Sequence, residues 1–195
     1  TVNAMTRGRR DYGPGFDWNG GALYRFSSAE GSHTAHPELS VQYNEKLGVH
    51  VGGAYKDYGD LRGGGGVGRQ PNTGYDEYDF DAKAEYFLAP NSRLVYGHQT
   101  VRIEDAWRTH STIYGVLWEG TTRGSDLKRA FDQDRDLDYV QYHVDSLEGF
   151  VEEAHFSLSR HYQGEVEDRL RSNRRQEFQS VDVDTLGVSM QLESP

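Results

Sequence analysis

Strict alternation of apolar and polar residues is the feature of this sequence that most limits how the chain can fold. In residues 35–44 every odd position is apolar and every even position is polar. In residues 78–88 the even positions are apolar, and charged residues occupy the odd positions up to Glu85. Because successive side chains of a β-strand point to opposite faces, this pattern predicts strands with one apolar and one polar face.

The alternation recurs often enough to predict eight strands, and most of them are about 9–15 residues long. Strands of soluble proteins usually have about 5–6 residues, whereas a tilted strand needs about 9–11 residues to cross a bilayer. The predicted lengths therefore favour membrane-spanning strands. The predicted strands are 21–29, 35–44, 47–57, 76–88, 93–104, 136–147, 149–163 and 178–193.

The composition agrees with an ordered chain that lacks a conventional apolar core. Only 35% of the 195 residues are hydrophobic and the mean hydropathy is -0.83, yet 12% are aromatic, which argues against disorder. A barrel with an apolar exterior and a polar interior reconciles these values. No apolar run is long enough for a transmembrane helix, and Thr1 opens no signal segment, so any targeting peptide is expected to be removed or to lie outside this chain.

Charge and cysteine content exclude several other classes of function. The net charge of -10 disfavours nucleic-acid binding, which needs a basic surface. The absence of cysteine excludes disulfides, thiolate metal sites and cysteine nucleophiles.

The predicted connections alternate between short and long. Tight turns are expected at 44–46, 90–92 and 146–149, and long polar loops near 58–77, 105–135 and 163–177. Outer-membrane barrels have this asymmetry, with short periplasmic turns and long extracellular loops. The sequence therefore predicts an all-β fold, a single antiparallel transmembrane β-barrel segment of about eight up-and-down strands, with residues 1–20 irregular.

Four segments, in this order and with hairpin spacing, resemble the barrels of TonB-dependent receptors. They are Tyr55-Lys56-Asp57-Tyr58-Gly59-Asp60-Leu61-Arg62-Gly63-Gly64-Gly65, Thr73-Gly74-Tyr75-Asp76-Glu77, Arg108-Thr109-His110-Ser111-Thr112 and Asp132-Gln133-Asp134-Arg135-Asp136-Leu137-Asp138-Tyr139. The resemblance covers most of residues 20–193.

This resemblance implies a 22-stranded barrel in the outer membrane of a Gram-negative cell that imports a scarce ligand, such as an iron-siderophore, haem or cobalamin. It also implies partners: outer-membrane lipid, the remainder of the barrel, a plug domain, and TonB acting through that plug. Eight strands cannot close such a barrel, and residues 193–195 lack a terminal aromatic residue. The chain is therefore expected to be an interior part of a barrel, without its plug.

Candidate binding residues come from the long loops. Trp107, Arg108, His110 and Trp118 are the predicted ligand-binding residues, since an arginine beside aromatic rings suits an anionic or planar ligand. Aromatic residues at the outer strand ends are alternatively girdle residues at the membrane interface. The aromatic set comprises Trp107, Tyr114, Trp118, Tyr139, Tyr142 and Tyr162.

No catalytic residue, cofactor or metal site is predicted, and the chain is not expected to be an enzyme. The eight histidines form no ligand set of known spacing, although His33 and His36 lie close together. The alternating aspartates of residues 132–138 lack the glycine and distal glutamate of an EF-type calcium loop, so a lumen-facing acidic row is the interpretation. The glycine-rich run 63–68 lacks the Lys-Ser/Thr pair of a phosphate-binding loop.

Two other hypotheses fit parts of the pattern. A complete eight-stranded outer-membrane barrel with a structural or adhesion role would have this size. A soluble β-sandwich, either a binding module or a carbohydrate-active enzyme, would need shorter strands in two packed sheets.

Overall fold

The computed structural model describes residues 13–147 and 149–194, and its regular structure is almost entirely β-strand. The one other element is a 3₁₀ turn at Thr109–Ser111. No helix in these ranges is long and apolar enough to cross a membrane. The strands are β1 (Phe16–Ser27), β2 (Ser32–Tyr43), β3 (Leu47–Tyr58), β4 (Arg62–Gly63), β5 (Gly68–Arg69), β6 (Tyr75–Ala89), β7 (Ser92–Trp107), β8 (Lys128–Val144), β9 (Glu153–Leu170) and β10 (Gln176–Glu193).

Eight long strands form one antiparallel sheet in which each strand pairs with its neighbours along the chain. The order is β1-β2-β3-β6-β7-β8-β9-β10, while β4 and β5 form a separate two-stranded ribbon in the connection between β3 and β6. The prediction of an all-β chain with eight up-and-down strands is confirmed. The repeated alternation produces this order because each strand presents the same two faces to its neighbours.

The sheet is open in the part of the chain that the structure describes. Strand β1 pairs only with β2, and β10 pairs only with β9, so no described strand pairs with the outer edge of either. The described residues therefore form neither a closed eight-stranded barrel nor a sandwich of two packed sheets.

The two faces of the sheet differ in polarity, and the pairing register defines them. One row across what we call the apolar face consists of Trp18, Val41, Val49, Ala84, Tyr96, Val140, Leu158 and Val188. The neighbouring row, on the polar face, consists of Asp17, Gln42, Gly48, Glu85, Val95, Gln141, Ser157 and Ser189.

Few apolar side chains are fully buried. Among the described residues the buried hydrophobic side chains are Val95, Ala130 and Phe131, whereas Leu186 and Val188 are 76% and 69% exposed. The accessible surface is 13189 Å², compared with roughly 9300 Å² for a compact protein of this mass. Among the described residues, no second layer of protein covers the apolar face.

The apolar face is narrower on the later strands. On β1 the apolar row runs from Phe16 to Phe26, whereas on β9 it runs only from Ala154 to Leu158. Beyond it, the same face of β7–β10 carries a polar network. Its main pairs are Arg102 with Asp136 (2.8 and 2.9 Å), His98 with Asp138 (2.8 Å) and Arg160 with Asp184 (2.9 Å).

The acidic row was predicted on the polar, lumen-facing side of its strand, and the structure places it on the opposite face. Asp134, Asp136 and Asp138 share the face of Val140 and Tyr142, which is the apolar face. On this face Arg102, directly opposite Asp134, forms ion pairs with Asp134 and Asp136, and His98, directly opposite Asp138, lies 2.8 Å from the Asp138 carboxylate.

Three segments predicted as irregular or loop are partly strand. Strand β1 begins at Phe16, inside the segment predicted to be irregular, while residues 1–12 lie outside the described residues. The predicted loop 163–177 is reduced to 171–175, and the predicted loop 105–135 is reduced to 108–127. In both cases charged side chains pair across strands, as Arg129 does with Glu167 at 2.7 Å, and extend the sheet.

The connections lie at two ends of the sheet. The two longest, 59–74 and 108–127, lie at one end, which we call the loop end, together with the short connections 28–31 and 171–175. Connections 44–46, 90–91 and 145–152 lie at the opposite end, the turn end. Glu148, within the predicted turn 146–149, is outside the described residues.

Candidate functional site

The two longest connections meet at the loop end and enclose a cleft of about 490 Å³. The hydroxyl of Thr109 donates a hydrogen bond to the backbone carbonyl of Asn72, which ties the two loops together. The lining is mostly uncharged, with His110 as its one titratable side chain. The lining residues are Gly63, Gly64, Gly65, Val67, Gln70, Thr109, His110, Gly115, Val116, Trp118, Thr121 and Thr122.

A second cleft of about 430 Å³ adjoins the first and shares Gln70, Thr109 and His110 with it. Its remaining lining comes from the connections 59–74 and 108–127 and from the loop ends of β6, β7 and β8, and it includes more aromatic side chains and the charged Arg108. These residues are Leu61, Thr73, Tyr75, Ile103, Ala106, Trp107, Arg108, Phe131 and Gln133.

The structure brings the four predicted ligand-binding residues to the same end of the sheet. His110 lines both clefts, Trp118 lines the first, and Trp107 and Arg108 line the second. Ligand binding by these residues stays a prediction. The glycines 63–65, which the sequence analysis considered only as a phosphate-binding loop, form one wall of the first cleft.

Of the two tryptophans, Trp118 has the freer ring. It is 52% exposed, and hydrogen bonds between its backbone and the Thr121 hydroxyl (2.8 and 2.9 Å) fix the turn that carries it. The Trp107 ring already contacts Tyr114, with centroids 6.3 Å apart, and the Lys128 ammonium, 5.9 Å from its centroid. A planar ligand group can therefore stack on Trp118 more readily than on Trp107.

Arg108 is held by its surroundings rather than projecting freely. Its guanidinium carbon lies 4.9 Å from the centroid of the Phe131 ring, and its backbone N–H donates to the carbonyl of Arg129 at 2.8 Å. The cation–π contact fixes the charge at the wall of the second cleft. This position suits attraction of an anionic group from the cleft.

The loop 59–74 is organised around the Asp60 carboxylate. This carboxylate accepts hydrogen bonds from the backbone N–H groups of Thr73 (2.9 Å) and Gly74 (3.2 Å) and from the Arg69 guanidinium (3.0 Å). Burial acts to raise the pKa of Asp60, but these donors outweigh it, so the pKa is lowered. Asp60 therefore stays ionised, and its hydrogen bonds with Thr73 and Gly74 join the two ends of the loop 59–74.

The loop 108–127 is anchored to strand β9 through Asp126. This side chain is almost fully buried, and its two oxygens accept hydrogen bonds from Arg169 at 2.9 and 3.1 Å. The backbone N–H of Ile113 donates to the Asp126 carbonyl at 3.0 Å. Both walls of the first cleft are thus fixed by a buried or partly buried carboxylate.

Other groups singled out in the sequence lie away from this end or on different faces. His33 is on the apolar face, where its Nδ1 is 2.6 Å from the Tyr24 hydroxyl, whereas His36 is on the polar face. They therefore cannot share a metal ion. Tyr142 lies near the turn end and the Tyr139 ring covers Gly97 on the polar face, so neither is at the outer strand ends as predicted.

A cluster of possible metal ligands that the sequence analysis missed lies at the turn end. Asp145, Glu153 and His155 each place one ligand atom within 4.8 Å of the others. Hairpin symmetry in the sequence could have predicted that His143 and His155 lie together, because each is six residues from Gly149 at the centre of the turn. In the structure these two histidines are paired across the strands.

Comparison of the chain with protein-family models, with curated proteins and with solved structures finds no significant match in any of the three.

Proposed function

We propose that this chain forms part of the wall of an outer-membrane β-barrel whose loop end captures a small ligand for import. The observation that carries the proposal is the single sheet with an uncovered apolar face opposite a polar one. Strands β1–β3 have 12 residues each. At a tilt of roughly 45° they would span about 28 Å, close to the hydrocarbon thickness of a bilayer.

A barrel larger than eight strands is supported by β1 and β10, each of which has an outer edge with no neighbouring strand among the described residues. Exposed edges of this length are templates for aggregation, and closed barrels remove them by pairing every strand. Further strands of the same barrel would pair with β1 and β10. A 22-stranded barrel with a plug, as the resemblance to TonB-dependent receptors implies, would supply them.

In this proposal the loop end faces outward and the turn end faces the periplasm. The polar face lines the lumen, and the apolar face contacts lipid. Strands β8–β10 have 17 or 18 residues, compared with 12 for β1–β3, and their polar network occupies the loop-end half. These longer strands would project beyond the outer surface of the membrane.

The proposed activity is energy-dependent uptake through TonB of a scarce ligand, such as an iron-siderophore, haem or cobalamin. Two features support ligand capture at the loop end. The first cleft presents an exposed indole from Trp118 between two braced loops, and the second presents the positively charged Arg108. No bond-making chemistry is required of the chain.

The membrane assignment predicts a two-residue periodicity of lipid contact. The chain has no cysteine, so once any cysteine elsewhere in the complete protein is replaced, single spin labels can be attached at Leu158→Cys and, as matched neighbours, at Ser157→Cys and Ser159→Cys. In lipid vesicles we expect the label at 158 to collide mainly with oxygen, which concentrates in lipid. Labels at 157 and 159 should collide mainly with a polar nickel chelate.

A control at Val188→Cys, which pairs with Leu158 on the apolar face, should behave as the label at 158 does. Equal protection of all four labels from both reagents would mean that protein covers both faces. That result would contradict the membrane assignment.

The ligand assignment predicts that Trp118→Ala weakens binding. We expect haemin, a ferric siderophore or cyanocobalamin to bind the complete protein, with the dissociation constant for the bound ligand raised roughly tenfold in the variant, because a stacked aromatic contributes about 1–2 kcal/mol. Fluorescence quenching or calorimetry measures the change. Trp18→Ala, on the apolar face of β1, is the control and should leave the affinity unchanged.

Equal effects of the two tryptophan substitutions would place the ligand outside the cleft. TonB dependence is tested separately in cells, where deletion of TonB should abolish uptake of the ligand without altering its binding. Uptake that persists without TonB would exclude the energy-coupled mechanism.

A further inference from the structure

Histidine and carboxylate side chains converge at the turn end of the β8–β9 hairpin, on the polar face of the sheet. Asp145 directly follows β8, while Glu153 and His155 begin β9. Their nearest ligand atoms all lie within 4.8 Å of one another, and His155 Nε2 is 3.8 Å from Asp145 Oδ1. His143 is directly opposite His155 in the register, with ring centroids 4.5 Å apart.

We propose that Asp145, Glu153 and His155, with His143 as a fourth ligand, bind a divalent transition-metal ion of the Zn²⁺ class. Imidazole nitrogen and carboxylate oxygen both bind Zn²⁺ at about 2.0–2.2 Å, which places the ligand atoms of a tetrahedral site about 3.5 Å apart. The ligand atoms of Asp145, Glu153 and His155 need to approach one another by about 1.3 Å at most to reach that geometry, whereas His143 lies outside this group and must turn toward it to become the fourth ligand. Side-chain rotation alone supplies a movement of this size.

An unsatisfied atom beside the cluster supports a fourth ligand. The Nδ1 of His143 is inaccessible to solvent and has no hydrogen-bond partner among the described residues. Its Nε2 lies 3.4 Å from the Gln141 side-chain oxygen. Buried polar atoms are nearly always satisfied, and a metal ion bound to Nδ1 would satisfy this one.

The local charge balance favours a cation. Asp145 and Glu153 contribute two negative charges, while Arg93, opposite His143 on β7, contributes one positive charge. The mixture of nitrogen and oxygen ligands selects for zinc-class ions over Mg²⁺ and Ca²⁺, which prefer oxygen alone.

A bound ion would join the two strands across the connection 145–152. That connection includes two residues with positive φ, Ser146 at 55° and Gly149 at 138°, and is the longest at the turn end. Cross-linking its two ends would restrict the conformations of the connection. The inference concerns only this hairpin and does not depend on the proposed uptake function.

The test is equilibrium binding of Zn²⁺ to the complete protein in detergent after treatment with a chelator. Competition against a chromophoric chelator should give a saturable site, and His155→Ala and Asp145→Asn should each weaken it at least tenfold. His161→Ala is the matched control, because His161 lies on the same strand and face but about 20 Å away, and it should bind Zn²⁺ as the unmodified protein does. Unchanged affinity in His155→Ala and Asp145→Asn would overturn the proposal.

Metal selectivity and the ligand count provide independent readouts. Zinc-edge X-ray absorption should show two imidazole ligands in the unmodified protein and one in His143→Ala. If Ca²⁺ bound to the protein with an affinity equal to that of Zn²⁺, the site would be a diffuse acidic surface, and the proposal would be overturned. Because His155→Ala could impair folding, His155→Gln is measured in parallel. Far-ultraviolet circular dichroism checks that each variant is folded. His155→Gln should also lose tight binding of Zn²⁺.

Discussion

Replacement of Gly124 by alanine is expected to displace the loop 108–127 from its position at the cleft. A Cβ atom at this residue would lie 1.8 Å from the carbonyl oxygen of Ser111 and 2.0 Å from its carbonyl carbon. Because these are backbone atoms, no side-chain rotation relieves the overlap. The Gly124 N–H also donates to the His110 carbonyl at 3.0 Å, so the two segments must separate.

The substitution should lower the free energy of local opening of loop 108–127 by about 3 kcal/mol. The fraction of molecules in which this loop is open would then increase on the order of 100-fold. Hydrogen exchange at the amide of Ile113, which donates to the Asp126 carbonyl, measures this opening. Gly64→Ala is the matched control, since its Cβ would have no neighbour within 4 Å. Equal protection of Ile113 in both variants would show that the loop tolerates the added atom.

Removal of the Asp126 carboxylate is the second substitution with a large expected effect. Breaking a buried ion pair costs about 3–5 kcal/mol, and the 26% exposure of Arg169 reduces the expected cost to about 2 kcal/mol. Asp126→Ala should therefore accelerate exchange at the amides of Ile113 and Leu127 by roughly 30-fold. Asp126→Asn, which keeps the shape but loses the charge, should have a smaller effect in the same direction.

The control for Asp126 is an ion pair at the same end of the sheet with greater exposure. Arg171 pairs with Glu177 at 2.9 Å, but its side chain is 43% exposed, and such pairs contribute about 0–1 kcal/mol. Arg171→Ala should leave exchange at Ile113 unchanged. A comparable acceleration in this variant would mean that Asp126 has no special anchoring role.

The alternation in the sequence predicts the sheet well because it depends on local residue order alone. The alternation predicts strands at 35–44 and 78–88 without knowledge of their neighbours, and the structure has strand at 35–43 and 78–88, with Asn44 in the turn. The end of β9 could not be predicted in this way. Because Glu165 and Glu167 lie on one face and Asp168 on the other, residues 165–168 have no apolar face. From the sequence alone they resemble a polar loop, and only their pairing with β8 shows that they are strand.

The same distinction applies to the site. Trp118 and His110 attract attention because aromatic and titratable residues are conspicuous in a polar loop. The glycines 63–65 carry no side chain, and their role as a wall depends on the packing of two loops that are distant in sequence. The ion pair between Asp126 and Arg169 could not be predicted from the sequence either, because 43 residues separate its members along the chain.

The unequal width of the apolar face has a consequence for hydrophobic thickness. Apolar side chains extend about 33 Å along β1 but only about 13 Å along β9, at roughly 3.3 Å per residue. At a tilt of 45° these lengths correspond to hydrocarbon layers of about 23 and 9 Å. If the sheet lies in a bilayer as proposed, the hydrocarbon layer would be thinner beside β9 than beside β1, and the surrounding lipid would be deformed on that side.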